Sequence, residues 1–376
     1  MARNPASAAL GGMVALAVAI GIGRFVYTPI LPPMQAALGL NAFAAGLIAS
    51  ANFAGYLVGA LAAALPLPGS RRAWLAGGLA SSTLTTGAMG LVRGVPAFLA
   101  LRFAGGAASA FGLVFASAIV LERLAESGRL GLSSVLFAGV GTGIALSALL
   151  VSAMRWAGFG WSGLWIASGL LSAAGTLAAA ALIAPEEWRE AYDAPLRAAR
   201  ISAALLRLIA AYGLFGFGYV ITATFLVAIV RATTGLRPLE PVIWVVFGLA
   251  AAPSVLLWSR IARRIGLGRA FALAAVVEAL GVLASVGLAG AGEIFLSAVL
   301  VGSTFMGLTA LGLMGGRTLA RGDARPVLAL MTGAFGLGQI IGPSFAGALY
   351  DRLGSFAVPS LAAAAALVTA ALLAAA

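Results

Sequence analysis

Long apolar stretches, separated by short polar or glycine- and proline-bearing turns, run the length of the chain. They fall at about 8–32, 42–65, 73–92, 96–121, 131–153, 162–184, 204–230, 241–259, 270–289, 293–315, 326–349 and 356–376. Each is long enough to cross about 30 Å of hydrocarbon as a helix. One polar stretch, 185–200 (PEEWREAYDAPLRAAR), separates the sixth from the seventh. The pattern predicts an all-α polytopic membrane protein with twelve transmembrane helices in two pseudo-symmetric six-helix bundles. The bundles are 1–184 and 204–376, joined by a linker at 185–203.

The halves repeat weakly. Gly21-Ile-Gly23-Arg24 in span one is echoed by Gly216-Phe-Gly218-Tyr219 in span seven, and Gly141-Thr-Gly143 in span five by Gly336-Leu-Gly338 in span eleven. Phe98-Leu99…Gly105 in span four matches Phe295-Leu296…Gly302 in span ten. Parallel repeats of this kind set a substrate site between the halves, near the bilayer midplane.

Charge refines the topology. All 23 basic residues are arginine against 11 acidic ones, yet the arginines are scattered between spans rather than massed on one face, which argues against nucleic-acid binding. With the N-terminus inside, inner loops and tails hold Arg3, Arg71, Arg72, Arg123, Arg129, Arg189, Arg197, Arg200, Arg207, Arg260, Arg263, Arg264, Arg269, Arg317, Arg321 and Arg325. Outer loops hold only Arg93, Arg155, Arg231, Arg237 and Arg352. This bias places both termini and the linker in the cytoplasm. The expected location is a bacterial inner (plasma) membrane. Without Cys or His, disulfides, thiol chemistry and the usual zinc ligands are excluded. No metal or cofactor site is expected.

Arg24 and Arg102 are the two arginines left inside spans. Arg24 lies in residues 21–34, GIGRFVYTPILPPM, at a depth where insertion costs roughly 2.5 to 3.5 kcal/mol, which makes a functional role the default reading. Gly21 and Gly23 open space beside it, and Tyr27 shares its helix face at a spacing of three. Pro29 removes an amide hydrogen and disturbs the turn behind it, while Pro32 and Pro33 end the helix. The structural alternative is snorkelling to the nearer interface, a reach of roughly 12 Å. Arg102 has the same alternative, or a fixed bond to backbone carbonyls. No carboxylate lies inside spans 1, 2, 4, 5, 7, 8, 10 or 11, so two internal cations call for an anion from elsewhere.

Twelve spans, the basic loop after span two (Gly69-Ser-Arg71-Arg72) with its copy after span eight (Arg260-Ile-Ala-Arg263-Arg264), and Arg102 early in span four resemble the major facilitator superfamily. The GIGRFVYTPILPPM opening and Gly338-Gln339-Ile-Ile-Gly342-Pro343 resemble its YbfB-type branch. The resemblance implies transport by alternating access, with spans 1, 4, 7 and 10 lining the cavity. Two departures stand out. The loop after span two lacks the usual acidic residue, and span five lacks the Gly-Pro of the antiporter signature.

Within that frame Tyr212, Phe215, Tyr219 and Thr222 form one face of span seven. Thr332, Phe335 and Gln339 do so on span eleven, and Asn52 and Tyr56 on span two. Plain packing is the structural alternative for such stripes. Substrate-binding candidates are therefore Arg24, Tyr27, Asn52, Tyr56, Arg102, Phe215, Tyr219, Thr222 and Gln339. Glu278, the one carboxylate deep in a span, is the proton-coupling candidate, arginine being unable to titrate; its alternative is a hydrogen-bonded structural residue.

These features imply a secondary active transporter, not an enzyme, that moves a small amphipathic organic anion and acts as a monomer in the lipid bilayer, with protons as a candidate coupling ion. The rival readings are a proton-coupled exporter of lipophilic drugs or metabolites and a transporter-like sensor without flux.

Overall fold

A computed structural model describes residues 4–183, 201–287, 290–320 and 323–376. The polar linker at 185–200, with Arg189, Arg197 and Arg200, and also Arg3 and Arg321, lie outside them. The described residues are helical, without a strand. In chain order the helices are α1 (Pro5–Leu16), α2 (Tyr27–Leu38), α3 (Ala42–Ala63), α4 (Arg71–Ala88), α5 (Val95–Glu126), α6 (Ser133–Trp156) and α7 (Trp161–Leu182). They continue as α8 (Ala203–Ala232), α9 (Glu240–Ala251), α10 (Ser254–Ile265), α11 (Leu267–Ala284), α12 (Ala291–Leu319), α13 (Ala324–Leu353) and α14 (Ala357–Ala375).

Two of the twelve spans are broken helices. Span one is α1 and α2, joined by a π-helical turn (Ala17–Ile22). Span eight is α9 and α10, which meet at a 42° bend next to Pro253. Counting that bent pair once, eleven spans among the described residues are long and apolar enough to cross a membrane. The twelfth, α4, opens on Arg71-Arg72 and carries five Ser and Thr residues. It is held from the side, packed on α5 and α7, with Arg71 paired to Glu122 of α5.

The contacts divide the chain into two units, Met1–Gly39 with Ala51–Asp193, and Leu40–Ser50 with Ala194–Ala376. Inside each, glycines bring the repeat-related helices backbone to backbone. In the first, a Cβ on Gly21 would meet the Gly143 backbone, and one on Gly143 the Ala17 backbone. In the second, Gly338 packs in the same way on the Gly213–Gly216 backbone. Gly21 and Gly143 are the repeat partners of Gly216 and Gly338, so one small-residue contact is used twice.

Candidate functional site

The break in span one begins with glycine and ends with proline. At the π turn the Gly23 amide donates to Val18 at 2.9 Å, one residue further back than in an α-helix. Pro29 has no amide hydrogen for the Phe25 carbonyl, so the Thr28 amide takes that carbonyl, at 3.2 Å. The carbonyls of Gly23 and Arg24 then lose their helical donors, a costly state inside a membrane unless side chains supply replacements.

Arg102 supplies them. Its two terminal nitrogens donate to Gly23 O at 2.8 Å and Arg24 O at 2.9 Å. The Arg102 carbonyl in turn accepts from Asn52 Nδ2 at 2.9 Å. The guanidinium lies 5.2 Å from the Tyr27 ring and 5.9 Å from Trp165. Arg102, Asn52 and Tyr27 thus form a buried staple across the break.

Arg24 is placed otherwise. Its guanidinium sits 4.2 Å from the Tyr56 ring centroid, 4.9 Å from Phe53 and 5.6 Å from Phe25. The residue is only 7% exposed, and Nε and one terminal nitrogen are buried without a hydrogen-bond partner. No carboxylate pairs with it among the described residues. Aromatic faces attract a cation but offer no lone pairs; the Tyr56 side chain makes one hydrogen bond with Arg24, so the cage holds the charge and leaves Nε and one terminal nitrogen unused.

The first unit therefore brings Arg24 together with Tyr56, and Arg102 with Tyr27 and Asn52. Arg24 and Tyr27, expected on one helix face, have different surroundings because the turn at 23–26 rotates one away from the other. Likewise Pro32 and Pro33 do not end the helix. The amides they lack would have served Thr28 and Pro29, in the first turn of α2, and the helix runs on until Gly39 stops it with a left-handed φ of 64°. Sequence reasoning missed Phe53 and Trp165. Phe53 was findable, three residues before Tyr56 and so on its face. Trp165 had no signal, lying in span six, outside the spans expected to line the cavity.

In the second unit the aromatic stripe of α8 is closed on itself. Phe335 of α13 stacks on Tyr212 (4.9 Å), Phe215 (5.3 Å) and Tyr219 (5.8 Å). Phe305 of α12 lies parallel to Tyr219 at 5.7 Å. Gln339 donates through Nε2 to the Tyr219 hydroxyl. Gln339 Oε1 and Thr222 Oγ1 are buried without partners. Phe215, Tyr219 and Gln339 thus form one group, with Thr222 about one turn further along α8. Glu278 of α11 is fully buried, beside Thr304 of α12.

The family profile described as "Uncharacterised MFS-type transporter YbfB" matches residues 16–375. A search of curated proteins finds no match. Among solved structures, a mutant of the nucleoside transporter NupG superposes with a TM-score of 0.75 at 14% identity, covering 97% of this chain and 98% of that one. A bacterial homolog of the human lysosomal transporter Spinster, inward-facing and unoccupied, gives 0.70 at 14% identity over 100% and 96% of the two chains. Its occupied form gives 0.67 at 16% identity over 98% and 95%. At these identities the likeness is one of fold.

Proposed function

The chain belongs to the YbfB-type family of major facilitator superfamily transporters, and on that premise we propose that it moves a small amphipathic organic anion, with Arg24 receiving the anionic group. One observation carries this reading: a buried arginine held in an aromatic cage, with two nitrogens unpartnered and no carboxylate beside it. A desolvated cation without a counter-charge is unfavourable, and a carboxylate or similar anion supplies both the charge and the missing acceptors. Arg102 takes a different part. It satisfies the broken backbone on which Arg24 is mounted, and so positions the site. The unpartnered Gln339 Oε1 and Thr222 Oγ1, beside the Tyr219 ring, are proposed as the second unit's substrate contacts. The membrane is proposed to be the bacterial inner membrane, with both termini cytoplasmic.

A thermal-shift screen of organic carboxylates, sulfonates and phosphates on the purified protein tests the reading, because a ligand that binds the native state raises its stability. Hits should then exchange across proteoliposomes. Stabilisation only by neutral or cationic compounds would reject it. The second reading, a proton-driven exporter of lipophilic compounds, is favoured by buried Glu278. Transport of a neutral compound that is indifferent to Arg24→Ala would select it.

A further inference from the structure

We propose that the second unit holds an anionic phospholipid at the end that the arginine bias turns to the cytoplasm. An acyl chain would lie in a cavity between α8, α11, α12 and α14, with the headgroup phosphate on Arg207. The cavity has a volume of about 270 Å³. Leu208, Phe271, Leu311 and Leu373 give it apolar walls, and Arg207, partly exposed near the start of α8, is the one charged side chain in its lining. The Thr318 hydroxyl, also in the lining, donates to the Met314 carbonyl at 2.9 Å and is committed to its own helix. Phe271 is buried and meets Phe215 edge to face at 6.3 Å, while neither Tyr219 nor Gln339 lines the cavity. The cavity is thus separate from the contacts proposed for substrate. Apolar walls with a single cation match a ligand that is apolar at one end and anionic at the other.

Charge selects the kind of lipid. α8 and α14 carry no acidic side chain, Glu278 lies deep in α11, and Glu293 is in the first turn of α12, at its opposite end. Arg269 in the first turn of α11 and Arg317 in the last turn of α12 add to the positive charge. None of Arg207, Arg269 and Arg317 forms an ion pair among the described residues. The first unit supplies the contrast. At its repeat-equivalent end, where α1 starts and α5 and α7 finish, a cavity of about 240 Å³ is lined by Arg123 together with Glu126. Nearby on α5, Glu122 pairs with Arg71. Acid and base are matched there, whereas in the second unit the end is cationic throughout, which complements the anionic lipids of a cytoplasmic leaflet. Leu206 and Leu372, each one residue from a lining position, are exposed. Such side chains suit contact with hydrocarbon, which favours a lipid over an anion arriving from water.

The test needs no transported substrate. The full chain is purified, stripped of lipid in detergent and mixed with phosphatidylglycerol or with phosphatidylcholine of the same acyl chains, and bound lipid is followed by native mass spectrometry. Phosphatidylglycerol should bind as one tight copy, and phosphatidylcholine should not. Arg207→Gln should weaken that copy at least about tenfold, the worth of a hydrogen bond to a charged group. Arg263→Gln, at an exposed α10 position outside the cavity, should weaken it by no more than about fivefold, the general attraction of one surface arginine. Ala204→Phe sets a ring where Ala204 lines the cavity and keeps every charge; it should abolish the tight copy. Equal binding of the two lipids, equal losses in the two arginine variants or undiminished binding to Ala204→Phe overturns the proposal. So does inorganic phosphate that competes as well as phosphatidylglycerol, which would make this a site for a free anion. If Arg207→Gln is not recovered, Ala204→Phe decides. A negative result leaves the Arg24 reading standing, because substrate affinity tests that separately.

Discussion

Arg24 and Arg102 look alike in the sequence, each an arginine inside an apolar span, yet they differ in what meets their N–H groups. Arg102 has two carbonyl acceptors and Arg24 has aromatic faces. Removing them should therefore have opposite consequences for stability. Arg102→Met strips both bonds and leaves two buried carbonyls bare, a loss of about 3–6 kcal/mol given about 1.5–3 for each hydrogen bond to a charged group. Arg24→Met removes an unpaired buried charge and should be neutral or stabilising. Chemical unfolding of the purified variants checks this, and equal losses in both would merge the two roles. Sequence reasoning singled out both residues because depth is readable from hydropathy. It could not separate them, because the carbonyls that Arg102 serves are free only once the helix has broken.

At the scale of elements, the span boundaries were legible because each is a run of apolar residues closed by polar or glycine turns. The inside of span one was legible only in part. The disturbance behind Pro29 was readable from its missing amide, but Pro32 and Pro33 do not end the helix, and the π turn that Gly21 and Gly23 permit upstream had no signal in the apolar pattern. The glycine repeats were visible as a pattern, and the structure gives their purpose, the close approach of α6 to span one and of α13 to α8. Gly338→Ala pushes a methyl group into the α8 backbone and should cost about 1–3 kcal/mol. Gly333→Ala, in the same helix with open space at its Cβ, should be neutral or gain up to about 1 kcal/mol from helix propensity. Similar effects at the two positions, measured by thermal unfolding, would dissociate the repeat from packing.

For the whole molecule, the arginine bias gives a prediction that does not depend on any site. Reporter fusions at Ala376 and within the linker at 185–200 should both report the cytoplasm, and an external signal at either would reject the assigned orientation. The central claim, that the transporter holds its substrate by an anionic group on Arg24, is tested most directly by calorimetry. The first anion that stabilises the wild type is titrated into wild type, Arg24→Lys and Arg24→Ala. Losing one partner of a desolvated charge pair costs roughly 2 to 5 kcal/mol, so the alanine variant should bind at least about 30-fold more weakly. Lysine keeps the charge but not the planar fork, and should fall between the two. Near-equal affinity in all three proteins would contradict the claim.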